Sequence, residues 1–333
     1  MEIQEAAVLG AGSWGTALAL TLADRGLDVT LYGNENSVRD DINDNQRNSR
    51  YLPDVELPAN ISATTSIDEV TDKPLILLVV PSQVARLVLT QLSEAGIGED
   101  CTLVSCTKGI DPNSGELMHE LLGEFFPDHP IAVLSGPSHA EEVARRMATL
   151  ATIGAEDSET AARVQHVFTL PWFRTYTSDD VVGIEIGGVV KNVFAIAAGA
   201  ADGLGLGDNA KAALVTRGLA EMTRLGVARG GKEETFRGLS GIGDLIVTCY
   251  STLSRNNRVG RLLGSGKTLQ QAIDEMEQVA EGVPNAKNAY EMARKLKVRT
   301  PIIDQAYAVI HEDKPPSEAL HELLTRDPRS EVD

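Results

Sequence analysis

Six residues near the start of the chain, Gly10-Ala11-Gly12-Ser13-Trp14-Gly15, constrain the fold more than any other stretch. They form a G-x-G-x-x-G, and their surroundings give the pattern its force. Ala6-Ala7-Val8-Leu9 before them is short and apolar, as a buried parallel strand is. Thr16 to Arg25 after them reads as a helix carrying Ala17, Leu18, Leu20 and Leu22, stopped by Gly26. Asp28-Val29-Thr30-Leu31-Tyr32 follows as a second strand. The whole is a βαβ unit of about thirty residues, the setting that a dinucleotide fingerprint requires. Gly10 permits the tight turn, Gly12 lets a pyrophosphate approach the backbone, and Gly15 lets helix and strand pack closely. The first amides of the helix then face the phosphates. The competing reading is an ordinary Gly-rich strand-to-helix turn.

A chain of 333 residues is long enough for two domains, each with its own core. A formal charge of −18 argues against nucleic acid or an anionic membrane as partner. A phosphorylated ligand would therefore need locally concentrated Lys and Arg. Cys101, Cys106 and Cys249 are odd in number and lack metal-ligand spacing, so they read as buried free thiols. The first strand begins almost at once, which leaves no room for a signal peptide. Val181 to Ala201 is the most membrane-like run, but Glu185 and Lys191 interrupt it and it reads as a buried core helix. The expected location is the cytoplasm, and the acidity fits that or a saline habitat.

Further along, Gly33 to Asn48 is polar and holds a short helix and a loop, and Tyr51-Leu52-Pro53 opens a turn-rich stretch through Pro58. Leu75 to Val80 is an unbroken apolar run closed by Pro81, as in a central parallel strand. Val84 to Leu92 reads as a helix. Thr102–Ser105, Ile131–Leu134, Leu150–Gly154 and Phe173–Tyr176 read as further strands. Alternation of strands and helices to about residue 180 predicts a doubly wound α/β domain over 1–180. From Val181 onward seven segments have helical spacing or composition and none is a convincing strand. They are Val181–Ala200, Ala210–Arg229, Ser254–Leu263, Thr268–Met276, Pro284–Leu296, Ile302–Val309 and Pro316–Leu323. An all-α domain is expected over 181–333.

In an open parallel sheet, ligands bind beyond the carboxyl ends of the strands. Three loops there carry unusual residues: Val80-Pro81-Ser82, Thr107-Lys108-Gly109 and Gly136-Pro137-Ser138. Lys108 is the only Lys or Arg between Arg86 and Arg145, and it directly follows a buried strand. It is either a solvated lysine or a cation facing a phosphate or an oxyanion. Ser138 precedes a helical stretch over Ala140–Arg146, so it is an N-cap, part of an anion site, or both. Lys191 lies in the most apolar helix of the chain. A buried lysine costs several kcal/mol unless it is paired or lowers its pKa, so it either snorkels to the surface or is placed for chemistry. Asn192 beside it offers a donor and an acceptor. Asp244 follows Gly241-Ile242-Gly243 and is a ligand group or a helix N-cap. Ser254-Arg255-Asn256 opens a helix and is a phosphate cradle or a solvated basic turn. The six histidines show neither triad nor metal spacing, so neither a metal centre nor a Ser-His-Asp hydrolase is expected.

At these residues the chain resembles the bacterial NAD(P)-dependent glycerol-3-phosphate dehydrogenase family. The resemblance is carried by Gly10–Gly15, Tyr51-Leu52-Pro53, Thr107-Lys108-Gly109, Gly136–Ala140, Lys191-Asn192, Gly241–Leu245, Ser254-Arg255-Asn256 and Val279–Gly282, in that order along nearly the whole chain. It implies a Rossmann domain followed by a helical domain similar to that of 6-phosphogluconate dehydrogenase. It also implies reversible reduction of dihydroxyacetone phosphate to sn-glycerol 3-phosphate for phospholipid synthesis, by a homodimer. By position, Lys191 resembles the catalytic lysine. Ser13, Trp14, Asn34, Lys108, Ala140, Arg255, Val279 and Glu281 resemble the coenzyme contacts, beside the fingerprint glycines Gly10, Gly12 and Gly15. Lys108, Gly136, Ser138, Lys191, Asp244, Ser254, Arg255 and Asn256 resemble the substrate contacts.

One departure concerns NADH against NADPH. NAD-selective enzymes usually carry Asp or Glu at the end of the second strand to hold the ribose 2′-hydroxyl. Here Tyr32-Gly33-Asn34 has no acid before Glu35, and Arg39 is a candidate for a 2′-phosphate. This favours NADPH or use of both coenzymes. Two alternatives stand beside the dehydrogenase: another two-domain dehydrogenase acting on a hydroxy acid or sugar acid, and a non-catalytic dinucleotide-binding regulator. The second would be expected to have lost its lysine and phosphate-site motifs.

Overall fold

The computed structural model describes residues 3–276, 278–328 and 330–331. Ten strands precede the helical half: β1 Glu5–Leu9, β2 Asp28–Tyr32, β3 Arg47–Asn48, β4 Leu52–Glu56, β5 Ile61–Thr64, β6 Leu75–Leu78, β7 Thr102–Ser105, β8 Ile131–Ser135, β9 Thr149–Ala155 and β10 Phe173–Ser178. Eight of them form one sheet in the order β10-β9-β8-β7-β6-β1-β2-β5. Strands β5 through β8 in that order run parallel, while β9 pairs antiparallel with β8 and carries β10 with it.

The fully apolar strands are covered on both faces, which is why their sequences do not alternate. In β6, Leu75 and Leu77 enter one core while Ile76 and Leu78 enter the core on the opposite face. Ala6 and Val8 of β1 face the first of these cores, and Ala7 and Leu9 the second. The helices α1 Ser13–Asp24, α2 Asn36–Asn45, α3 Ser82–Ala95, α4 Met118–Phe125, α5 Ala140–Ala144 and α6 Ser158–Phe168 alternate with the strands. From β1 the chain steps outward to β2 and β5, then returns to β6 on the other side of β1. Strand order therefore reverses between β1 and β6, and the crevice at their carboxyl ends is the ligand position of a doubly wound sheet.

Three expectations change. The stretch that opens with Tyr51-Leu52-Pro53 is a small hairpin, with β3 pairing antiparallel to β4. A further parallel strand, β5, pairs with β2 at the sheet edge and is too short to register as an apolar run. Helix α1 begins at Ser13, three residues before the expected start at Thr16, because Gly12 serves as its N-cap without any side-chain bond.

After β10 come α7 Val181–Gly203, α8 Gly207–Ala228, α9 Asp244–Tyr250, α10 Arg255–Gly264, α11 Leu269–Asp274, α12 Gly282–Leu296, α13 Pro301–His311 and α14 Pro316–Leu324. No strand follows Ser178 among the described residues. Helix α7 is long and apolar enough to cross a membrane by composition, with a mean hydropathy of 1.7, yet 89% of that window is buried inside the protein. It is the axis of the helical half, with the core cluster around Val189, Val193 and Phe194 packed on it. Helix α10 crosses it backbone to backbone: a Cβ on Gly260 would stand 2.0 Å from the Ile196 carbonyl oxygen. That contact brings the start of α10 against the middle of α7.

Candidate active site

The fingerprint turn leaves β1 through Gly10, whose φ of +124° an L side chain rarely adopts. A Cβ on Gly15 would come within 1.8 Å of the Gly10 carbonyl oxygen, so turn and helix touch through their backbones. Nothing lies within 4 Å of the Cβ position of Gly12. The turn therefore offers open backbone beside the uncapped first amides of α1, which is what a pyrophosphate takes. Asn48, on the hairpin strand β3, donates to the Ala11 carbonyl (2.9 Å) and to Thr16 Oγ1 (2.8 Å), pinning the loop from below. These features fit a bound dinucleotide.

Lys191, on α7, is 6% exposed, and its Nζ donates to Asp244 Oδ1 and to Thr248 Oγ1, the latter at 2.9 Å. Asp244 is fully buried, and its other oxygen accepts from Lys108 Nζ at 2.7 Å. Lys108 Nζ also donates to the Gly136 carbonyl at 2.9 Å. One carboxylate thus bridges two ammonium groups. The Gly187-Gly188 pair explains how they meet: a Cβ on Gly187 would stand 2.2 Å from the Ser240 carbonyl oxygen, in the turn that leads into α9. A Cβ on Gly188 would stand 2.9 Å from Ser135 Oγ and 3.4 Å from Lys108 Cγ. The segments carrying Asp244 and Lys108 can approach α7 only because those two residues have no side chains.

Electrostatics follow from this packing. Burial pulls the Lys191 ammonium down most strongly; Asp244 opposes that and Lys108 adds to it, leaving a pKa of about 7 against an ordinary 10.5. Burial alone would raise the Asp244 carboxyl, but Lys108 and Lys191 together hold it below its ordinary range. Lys191 therefore sits near the midpoint of its titration at neutral pH, and Asp244 stays ionised.

Ser254 is the N-cap of α10, its Oγ accepting from the Asn257 amide at 3.2 Å. Asn256 donates to Asn192 Oδ1 (2.8 Å) and accepts from the Gly282 amide (2.8 Å), linking α10, α7 and the start of α12. Arg255 Nη1 donates to Gln278 Oε1 at 3.1 Å, and Ser13 Oγ donates to the same oxygen at 2.9 Å. Glu281 accepts from Ser82 Oγ and Gln83 Nε2, each at 3.4 Å.

A single cleft of about 620 Å³ gathers these groups. Gly10, Gly12, Ser13, Trp14, Gly15 and Asn34 border its sheet side, and Lys108, Ser138 and Ala140 line the far strand ends. Lys191, Ser254, Arg255, Asn256, Val279 and Glu281 face them from the helical half. Gly136 and Asp244 lie one layer behind, reached through Lys108 and Lys191. Two capping readings fall. Ser138 Oγ turns back to the Gly136 carbonyl (2.9 Å), and α5 is preceded by His139 with no side-chain cap. Asp244 is the first residue of α9, and its carboxylate serves the two lysines instead of free amides.

Residues 5–161 match the N-terminal half, and residues 180–321 the C-terminal half, of the family described as NAD-dependent glycerol-3-phosphate dehydrogenase. The chain belongs to that family. It is 48% identical over 330 residues to the glycerol-3-phosphate dehydrogenase [NAD(P)+] of Bacillus cytotoxicus, covering 98% of this chain and 96% of the relative. It is 48% identical over 328 residues to the enzyme of that name from Geobacter metallireducens, covering 97% and 98%. The crystal structure of glycerol-3-phosphate dehydrogenase from Coxiella burnetii superposes with a TM-score of 0.93 at 39% identity, covering 97% of this chain and 99% of that one. The N-terminal Rossmann sheet and helical C-terminal half are the architecture of this family.

Within this glycerol-3-phosphate dehydrogenase framework, several partners escaped the sequence reading. Thr248 stands one helical turn beyond Asp244 and shares its face, so the i, i+4 spacing could have signalled it. Gln278 has no such signal: its contacts with Ser13 and Arg255 depend on how the two halves of the chain meet.

Proposed function

We propose that this chain catalyses the reversible NAD(P)-dependent reduction of dihydroxyacetone phosphate to sn-glycerol 3-phosphate. The observation that carries the reading is the buried Lys191, at the meeting point of the glycine turn and the α10 start. In this reading residues 1–180 hold the coenzyme and 181–333 supply the substrate and catalytic groups. When bound, the nicotinamide supplies or accepts hydride at C2 of the substrate.

A protonated lysine has three N–H donors. Asp244 and Thr248 take two from Lys191, leaving the third for the substrate's C2 oxygen. As negative charge grows there, Nζ gives up its proton; in the reverse direction its lone pair accepts the hydroxyl proton. Lys108 adds a second positive charge beside the developing oxyanion, and Asp244 keeps both ammonium groups in place. Ser254, Arg255 and Asn256 hold the substrate phosphate at the start of α10, using remote binding to orient the carbonyl. Ser138 and the Gly136 loop close the strand side of the substrate. A homodimer in the cytoplasm, feeding phospholipid synthesis, completes the reading.

Arg255→Ala is expected to weaken binding of dihydroxyacetone phosphate and of coenzyme by about tenfold or more, the loss typical of a charge-assisted bond to phosphate. Unchanged Michaelis and dissociation constants would remove Arg255 from the phosphate site. The function itself is tested by following reduced-coenzyme oxidation with dihydroxyacetone phosphate against a panel of small keto acids. Selective turnover of the phosphate supports it; turnover of a keto acid alone would favour the hydroxy-acid dehydrogenase alternative.

A further inference from the structure

Helix α12 reaches the catalytic groups with side chains that the proposed proton transfer does not use. Asn285 is fully buried, and its Nδ2 donates to the Lys108 carbonyl at 3.0 Å and to the Val189 carbonyl at 3.5 Å. Lys108 carries one of the two ammonium groups on Asp244, and Val189 stands two residues before Lys191, which carries the other. One carboxamide therefore ties together the two backbones that present the lysines. One turn further along α12, Asn288 donates to the Ile110 carbonyl at 3.3 Å, so both ends of the Lys108-Gly109-Ile110 segment are held by this helix. Gly109 between them packs on the start of α3: a Cβ there would stand 2.4 Å from Ser82 Oγ. Asn285 Oδ1 is buried without a partner. Leaving a buried carbonyl unbonded is costly, so stability alone does not account for an asparagine here.

We infer that Asn285 is a positioning residue for the reaction, holding Lys108 where its ammonium meets Asp244 beside Lys191. The role rests on the dehydrogenase reading proposed above. Lys191 is fixed in the middle of α7, whereas Lys108 follows β7 on a loop. Among the described residues, the titratable groups that act on or feel Lys191 are Asp244 and Cys249 of α9, Lys108 beyond β7 and His139 ahead of α5. Burial pushes the Cys249 thiol up to about 12, and burial together with Lys191 pulls His139 down, so both stay uncharged at neutral pH. Burial lowers the Lys191 ammonium most; of its charged neighbours, Asp244 raises it and Lys108 lowers it. When Lys108 withdraws, Lys191 has Asp244 to itself and its pKa rises from about 7. The C2 oxygen of the substrate also loses its second positive charge.

The test is the pH profile of kcat/KM for reduction of dihydroxyacetone phosphate by Asn285→Ala and by the similarly branched Asn285→Leu. Saturating coenzyme is kept present, which also favours the folded chain. Both variants are expected to raise the pH midpoint by about 0.5 or more and to lower kcat about tenfold or more, with coenzyme affinity unchanged. In a Lys108→Met background, Asn285→Ala is expected to add no further change in midpoint or kcat, because it acts through that lysine. Loss of packing alone would lower the unfolding temperature without moving the midpoint. A folded variant with the wild-type midpoint and kcat, or a full further loss in the Lys108→Met background, would overturn the role. Failure of both variants to fold with coenzyme present would make Asn285 a structural residue and overturn it too. A wild type that does not turn over dihydroxyacetone phosphate would overturn the proposed function itself, and this role with it.

Discussion

Lys191→Ala is expected to lower turnover of dihydroxyacetone phosphate by about 10²–10⁴, the range for loss of a positioned general acid. The loss should fall on kcat, because the phosphate cradle and the glycine turn are untouched. The variant should also fold. Removing Lys191 does not orphan Asp244, which keeps its 2.7 Å bond to Lys108. Comparing kcat with coenzyme affinity and thermal unfolding separates loss of chemistry from loss of structure. A folded variant with near-wild-type turnover would remove Lys191 from the reaction.

Asp244→Asn should be costly in a different way. The carboxylate is fully buried and is the shared counter-charge of two ammonium groups. Breaking a buried pair typically costs 3–5 kcal/mol, and about 3 kcal/mol is expected here because Lys191 can relieve the strain by shedding its proton. Asp244 raises the Lys191 pKa, so its loss lowers that pKa further from about 7. At neutral pH Lys191 would then be mostly neutral, and reduction should fall by about 10² or more, for want of an acid. Denaturant unfolding and the turnover rate measured together test both halves. Wild-type stability with wild-type turnover would show that Asp244 does not hold the lysines.

Much of this architecture is legible in the sequence, for identifiable reasons. Strands β1 and β6 are buried on both faces and read as unbroken apolar runs, while α7 reads as a core helix because Glu185 and Lys191 break its apolar pattern. Strand β5 and the β3–β4 hairpin are short and half polar, so no periodicity marks them. Their positions are set by tertiary contacts, such as Asn43 donating to the Ala63 carbonyl and accepting from its amide. Helix α9 is hidden in a glycine-rich segment, since its start is fixed by the approach of Ser240 to Gly187.

The same division applies to the site. A lysine in an apolar helix announces itself, and so does a Ser-Arg-Asn helix start. That one carboxylate would bridge Lys108 and Lys191 does not, because Asp244 lies 136 and 53 residues from them. Nor does the sequence show that Ser13 and Arg255 converge on Gln278. Residue types propose the chemistry; long-range pairing decides which charges remain available.

The role proposed for Lys191 is to move the proton in both directions as a buried lysine titrating near neutrality. Its most direct test is the pH dependence of kcat/KM for reduction and for oxidation, with each substrate counted as its phosphate dianion because phosphate monoesters titrate near pH 6. Reduction needs the protonated lysine and should fall as pH rises through about 7, while oxidation needs the neutral lysine and should rise across the same interval. Profiles running in the same sense, or flat through neutrality in both directions, would contradict the assignment of the proton to Lys191.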